Sequence, residues 1–286
     1  MTRTPLSYYG GKQTLAPHIV SLMPRHDAYL EPFAGGAAVF FAKPRADRET
    51  LNDIDGQIMA FWRALRDRPE ELASAVSLTP YAREEWLAAS EPADDDVEAA
   101  RRLLVRIDHS FVREGRSWSP PSLMKDRKGR WQPRTWSDMP RRIRAAADRL
   151  AGVCLEHGDA AEMLSRWDFP GSLIYLDPPY LGPGRRAPGK GYDHDLTPDL
   201  WPRLVDALLA VKHAAVVLSG YPNDEVARLE WRSITLKAKR DVPQRGSQSE
   251  APESVWLSPA VPEEATLFTP GLTAEDVISD IEGRAA

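Results

Sequence analysis

Cysteine is nearly missing from this chain: Cys154 is the single one in 286 residues. An internal disulfide framework and a cysteine-rich metal site are therefore excluded. The reducing cytosol is the expected location. No run approaches the ~18 apolar residues of a membrane span. The opening Met1-Thr2-Arg3-Thr4-Pro5 lacks the apolar core of a signal peptide. Two nucleotide fingerprints are also missing. Gly35 and Gly36 are adjacent and no third glycine follows, so GxGxxG is absent. Gln13 follows Lys12 where a P-loop needs Ser or Thr. The 25 prolines are scattered, with no collagen period. What remains is the composition of a soluble globular protein, 42% apolar and 28% charged. Its length allows one large domain, or one domain with an insert.

The net charge of −5 conceals a division. Residues 101–149 hold fourteen basic and five acidic residues, a net of +9, while the rest of the chain carries 23 basic and 37 acidic ones. A basic block on an acidic body is the footprint of a polyanion-binding module. A solvated arginine-rich face is the plainer alternative. Trp118, Trp131 and Trp136 interleave with the arginines and favour binding.

Short apolar runs that end in a polar residue recur at 28–31, 49–53, 153–156, 172–177 and 214–219. Each has the pattern of a buried strand with a functional residue at its carboxyl end. Helical patterns lie near 12–23, 36–43, 159–166 and 197–212. This alternation predicts an α/β fold with a mostly parallel sheet, whose ligands sit beyond the carboxyl ends of the strands. Strands near 231–237 and 253–258 have no helix between them and can form an antiparallel edge. Between about 57 and 145 the alternation stops. Helices are predicted near 57–67, 80–89, 95–107 and 138–150, with an irregular basic stretch before the last. Residues 269–286 have the polarity of a loose tail.

The sharpest motif is Asp177-Pro178-Pro179-Tyr180, directly after a predicted strand. Two prolines remove two backbone donors and stiffen the turn. The Asp177 carboxylate and the Pro178 carbonyl make a pair of acceptors. A planar base's amino group has two N–H donors to match, and Tyr180 can stack on its ring. Engaging both hydrogens lets the nitrogen lone pair turn out of the ring plane and become nucleophilic. In Glu31-Pro32-Phe33-Ala34-Gly35-Gly36 a strand leads through small residues into a helix. Glycines admit a ligand close to the backbone, and Glu31 can attract an ammonium group. About twenty residues on, Asp53 stands where an acid can bond ribose hydroxyls, with Asp55 as the alternative or as a helix N-cap. Asp159 either bonds an adenine amino group or caps the following helix. Tyr8-Tyr9-Gly10-Gly11-Lys12 suits a cofactor or anion contact.

Taken in order, Tyr-Gly-Gly-Lys, Glu-Pro-Phe-x-Gly-Gly, Asn-Asp-Ile, an insert, Gly-Asp and Asp-Pro-Pro-Tyr resemble the Dam-like (D12 class) family of DNA adenine-N6 methyltransferases. The resemblance covers about residues 5–258. Glu253-Ser254-Val255-Trp256-Leu257 is similar to the family's last strand. The Ala34-Gly35-Gly36 turn departs from the commoner Gly-x-Gly but keeps the residues small.

The resemblance implies a Rossmann-like S-adenosylmethionine-dependent sheet of seven strands with a helical target-recognition insert. The catalytic domain would span 1–56 and 145–268, the insert 57–144 and the tail 269–286. It implies a catalytic Asp177, Pro178, Pro179 and Tyr180. It places the cofactor against Tyr8, Lys12, Glu31, Pro32, Phe33, Gly35, Gly36, Asp53, Asp159 and Asp177. The net charge of the insert's basic block, which has no residue-by-residue match to the family, puts double-stranded DNA against Arg113, Arg116, Lys125, Arg127, Lys128, Arg130 and Arg134. The Leu181–Tyr192 loop, with Arg185, Arg186 and Lys190, would close over it. The reaction expected is methyl transfer to adenine N6 in a flipped base, by a cytoplasmic monomer or weak dimer of the restriction–modification type, without a metal. The lone cysteine lies outside the motifs, which excludes cysteine-dependent cytosine-C5 chemistry. The rivals are methylation of an amino group on RNA or on a protein glutamine, and a catalytically silent DNA-binding protein that retains the cofactor pocket.

Overall fold

Ser172–Leu176 (β4) is buried at every residue, as expected of a strand covered on both faces. Around it lie β1 (Ala28–Glu31), β2 (Arg48–Asn52), β3 (Cys154–Glu156), β5 (Ala215–Gly220), β6 (Arg232–Thr235) and β7 (Ser254–Leu257). The seven form one sheet in the order β3-β2-β1-β4-β5-β7-β6. β1 runs parallel to β2 and β4, and β4 parallel to β5. β7 is antiparallel to both β5 and β6. The expected antiparallel edge is present, with the later strand inserted between β5 and the exposed edge strand β6. The computed structural model describes residues 3–7, 12–110, 115, 117–120, 132–179, 200–236 and 253–263.

The chain divides into two compact units. One comprises Gln13–Ala34, Lys43–Ile54 and Gly158–Ala286. Here α9 (Ala160–Arg166) and α10 (Leu200–Ala210) pack together, and α10 meets α11 (Asp224–Ala227). Leu30, Ile174, Leu176, Val216 and Leu218 point from alternate strand positions into a core shared with Met163, Leu164, Trp201, Leu204, Val205 and Leu208. Each such fully buried aliphatic side chain contributes about 1.5–3 kcal/mol. The opposite face of the same strands carries Tyr29, Glu31, Tyr175 and Ser219, because side chains alternate with period two. A buried ion pair, Lys43–Glu49 at 2.6 Å, joins the chain just before β2 to the strand itself. The Lys43 ammonium also lies 4.3 Å from the Tyr29 ring centroid.

The other unit comprises Met1–Lys12, Gly35–Ala42 and Asp55–His157 and is mainly helical. Its α3 (Gly56–Asp67) begins at Asp55, whose side chain accepts from the Gln57 amide at 2.8 Å, so Asp55 is an N-cap. Ile58, Phe61, Trp62 and Leu65 then form one buried helical stripe. α3 packs on α6 (Asp96–Asp108) and α8 (Met139–Leu150), and α4 (Pro69–Ser77) packs on the same two helices. Asp95 caps α6 through the amides of Val97 and Glu98. The predicted helices of this region are present. α4 and the short α7 (Gln132–Ser137) were not indicated by the apolar pattern.

Candidate active site

In an open parallel sheet the crevice for ligands lies where the strand order reverses. That point falls between β1 and β4, whose chain-order neighbours lie on opposite sides. β1 ends at Glu31 and β4 leads directly into Asp177. Glu31 is 2% exposed, and the Tyr29 hydroxyl donates to its Oε2 at 2.8 Å. Burial, and then the Glu31 charge, push the Tyr29 phenol well above its usual range. Tyr29 is therefore held as a donor. On β4, Tyr175 shares a hydrogen bond of 2.9 Å with Ser219 of β5. Burial, and then the nearby Asp177, push this phenol well up as well.

The turn after Asp177 is braced from behind. Pro178 is buried, and the indole Nε1 of Trp201 on α10 donates to the Pro179 carbonyl at 3.1 Å. A Pro-Pro step has no N–H groups of its own to anchor it, so this bond from a buried tryptophan fixes the loop.

The loops after β1, β2 and β3 converge on one side chain that the motif analysis did not single out. Asn52 is fully buried. Its Nδ2 donates to the Pro32 carbonyl at 2.9 Å and to the Gly158 carbonyl at 3.0 Å, while its Oδ1 accepts from the Gly158 amide at 2.9 Å. Its backbone carbonyl also accepts from the Ala34 amide at 2.8 Å. Asn52 therefore fixes the turn carrying Pro32 and Phe33 against the turn carrying Asp159, and Asp53 follows it, half-buried. Asp159 caps α9 by accepting from Ala161 and Glu162, and its second oxygen meets Arg203 at 3.3 Å. Of the two roles open to it in the sequence, capping is present.

Beyond Phe33 the chain bends through Gly35 at φ 45° and Ala37 at φ 49°. Positive φ suits glycine but strains an alanine, a feature that clusters at ligand-contacting turns. The Trp62 indole donates to the Gly35 carbonyl at 3.1 Å. The helix that follows, α2 (Ala38–Ala42), has only five residues, so its dipole is a small resource for anion binding. Lys12 is buried.

Glu31, Pro32, Phe33, Asp53, Asp159, Asp177, Pro178 and Pro179 thus occupy the carboxyl ends of strands or the turns just beyond. Tyr8 and Tyr180 lie outside the described residues. So do Arg113, Arg116, Lys125, Arg127, Lys128, Arg130, the side chain of Arg134, and the tail. The 181–192 loop with Arg185, Arg186 and Lys190 falls outside them as well.

The basic block is partly committed within the fold. Arg101 pairs with Glu98 and Glu85, Arg102 with Glu98, and Arg144 with Glu70. Arg106 stacks on Trp86 and Arg149 on Phe40, while Arg142 donates to the Thr4 and Pro5 carbonyls. Trp136 corrects the sequence expectation. It is 6% exposed, its indole donates to the Thr79 carbonyl at 2.8 Å, and its ring packs edge-on against the buried His109. This tryptophan belongs to an aromatic core, with Tyr81 and Trp118 also around His109, and not to a binding face.

Comparison with known proteins agrees with the family resemblance. Residues 8–113 match the family described as D12 class N6 adenine-specific DNA methyltransferase. The chain is 27% identical over 202 residues to Type II methyltransferase M1.LlaDCHI of Lactococcus lactis subsp. cremoris, an alignment covering 65% of this chain and 68% of that protein. The mostly parallel seven-stranded sheet, the Asp-Pro-Pro at the end of β4 and these two matches agree in supporting an adenine-specific DNA methyltransferase of the D12 class.

Proposed function

We propose that the methyl donor is S-adenosylmethionine and that the acceptor is the N6 amino group of an adenine flipped out of double-stranded DNA. The observation that carries this reading is the braced Asp177-Pro178-Pro179 turn beside the β1/β4 reversal, next to turns that Asn52 holds together. The donor set fits the cofactor's chemistry. Glu31 offers a buried carboxylate to an ammonium, Asp53 offers a half-buried one to ribose hydroxyls, and Phe33 offers an apolar surface. The family resemblance adds Tyr8, Lys12, Gly35 and Gly36, and leaves Asp159 a contact through the oxygen that now meets Arg203. S-adenosylmethionine supplies a methyl group already activated by its sulfonium.

The protein's own task is to position. Asp177 and the Pro178 carbonyl accept the two amino hydrogens of the base, and Tyr180 stacks on its ring. The amino nitrogen then presents its lone pair for attack. As the N–C bond forms, the methyl–sulfur bond would break with its electron pair left on sulfur, and the surplus N–H proton would leave by way of the Asp177 carboxylate or water. Holding reactants at near-attack distance supplies several kcal/mol. Extruding the base costs a few kcal/mol, which stacking and the new hydrogen bonds offset. Residues 57–144 act as the target-recognition insert on a catalytic domain of 1–56 and 145–268. Its phosphate and base contacts come from the Arg113–Arg134 stretch, because several flanking arginines are committed within the fold. The 181–192 loop closes over the DNA. The enzyme works in the cytoplasm, as a monomer or weak dimer of the restriction–modification type.

Single-turnover transfer from labelled S-adenosylmethionine to unmethylated DNA, RNA and protein tests the assignment. Asp177→Ala should abolish transfer to DNA while calorimetry shows nearly unchanged cofactor affinity. Asp53→Ala should do the reverse, weakening cofactor binding more than the chemical step. Wild-type turnover by Asp177→Ala removes the catalytic assignment. Transfer to RNA or protein in preference to DNA removes the substrate assignment.

A further inference from the structure

We propose that Ser219, itself oriented by Tyr175, is the positioning residue that sets the direction of the Asp177 carboxylate. The inference rests on Asp177 being the group that receives the target amino hydrogens.

Register brings these groups together. β4 and β5 are parallel, with Tyr175 opposite Val217 and Leu176 opposite Leu218. One step further along each chain stand Asp177 and Ser219, on the face that Tyr175 shares. The Ser219 Oγ lies 2.9 Å from the Tyr175 hydroxyl, 3.3 Å from Asp177 Oδ1 and 3.4 Å from the Leu176 carbonyl. Ser219 is fully buried, and Tyr175 is 1% exposed.

The direction of the chain of bonds follows from charge. Tyr175 is buried where Asp177, Glu31 and Glu253 all act on it, and each opposes loss of its proton. It stays a phenol, and its hydroxyl hydrogen goes to Ser219. The single proton of Ser219 must then choose between the Asp177 carboxylate and the Leu176 carbonyl. A charged acceptor forms the stronger bond, so the proton goes to Asp177. The order is Tyr175 O–H to Ser219 Oγ, and Ser219 O–H to Asp177 Oδ1. Contacts of 3.3 Å are long for O–H···O, and catalytic hydrogen bonds commonly tighten when substrate arrives. Because Ser219 sits on a rigid central strand, this bond restricts rotation of the carboxylate about χ2. Asp177 itself stands one residue past the end of its strand.

The role differs from simple filling of the core. A filler affects stability and leaves the chemical step alone. A positioning hydroxyl affects the chemical step and leaves cofactor and DNA affinity alone. The test is single-turnover methyl transfer, with S-adenosylmethionine and DNA affinities measured separately, on Ser219→Ala, Ser219→Thr, Tyr175→Phe and Asp177→Ala. Ser219→Ala should slow transfer by about ten- to a hundred-fold, with both affinities within about two-fold of wild type. Ser219→Thr keeps the hydroxyl and should recover most of the rate. Tyr175→Phe removes one oxygen, keeps the ring, and should slow transfer several-fold in the same manner. Should Ser219→Ala not fold, Tyr175→Phe decides alone. Wild-type transfer rates in Ser219→Ala and Tyr175→Phe with an inactive Asp177→Ala overturn the proposal and leave the catalytic reading standing. Losses confined to cofactor affinity also overturn it. Wild-type transfer by Asp177→Ala overturns the catalytic reading itself.

Discussion

Asn52 and His109 show how differently two buried polar side chains are treated in this protein. The Asn52 amide spends both hydrogens and its oxygen on the backbone of neighbouring turns. Asn52→Ala removes three bonds worth about 1 kcal/mol each and strands their buried partners, so a loss of roughly 3 kcal/mol is expected in urea unfolding. The KM for the methyl donor should rise more than kcat falls, since the disturbed turns carry Phe33 and Asp159. Unchanged stability would remove Asn52 from this role. His109, by contrast, is surrounded by Tyr81, Trp118 and Trp136 and has no hydrogen-bond partner for either ring nitrogen among the described residues. Burial, and then the charge of Arg101, lower its pKa to about 3. The unfolded chain binds a proton near pH 6.5 that the fold refuses. Stability from this group is therefore complete above that value and declines as pH falls towards 3. His109→Phe should flatten the acid slope by up to about 1.4 kcal/mol per pH unit. Equal slopes in the two proteins would contradict it. The Asn-Asp-Ile motif drew attention to Asp53, while Asn52 went unnoticed, because nothing local in a sequence marks a side chain that bonds a turn about a hundred residues away.

At the scale of elements, α10 holds the Asp177-Pro178-Pro179 turn as well as the core. Trp201 fills the core with its ring and bonds Pro179 with its indole N–H. Trp201→Phe keeps most of the apolar area and loses the bond. Transfer should fall several-fold or more while the melting midpoint shifts by only a few degrees. A collapse of stability with an unaffected rate in the residual folded enzyme would assign Trp201 to packing alone. Most elements were legible in the sequence, because apolar runs of four to six residues alternate with amphipathic stripes. The exceptions have physical causes. Pro69 reads as a break, yet it sits in the first turn of α4, where proline is tolerated. The turn of α7 is too short to show a period. β6 and β7 were expected as an edge, but the insertion of β7 beside β5 is a pairing choice that periodicity cannot encode. Ser219 was visible as the polar end of an apolar run, whereas its two partners needed the register of β4 and β5.

For the whole molecule, the charge division between residues 101–149 and the rest is real in the sequence and smaller in effect. Arg101, Arg102 and Arg144 are neutralised by acids of the same unit, and Trp136 is core. A summed charge cannot distinguish an arginine that grips a neighbouring helix from one that grips a phosphate. The Asp-Pro-Pro-Tyr motif was legible because its residues are adjacent in the chain, whereas the arginines of residues 101–149 are scattered and leave no pattern. The central claim is that this chain methylates adenine N6 in DNA through Asp177. Expression in a bacterial strain free of DNA methylation, followed by modification-aware sequencing, tests it most directly. The account predicts N6-methyladenine at one recurring sequence with the wild-type protein and none with Asp177→Ala. Unmodified DNA from folded wild-type protein, or equal methylation by Asp177→Ala, would contradict it.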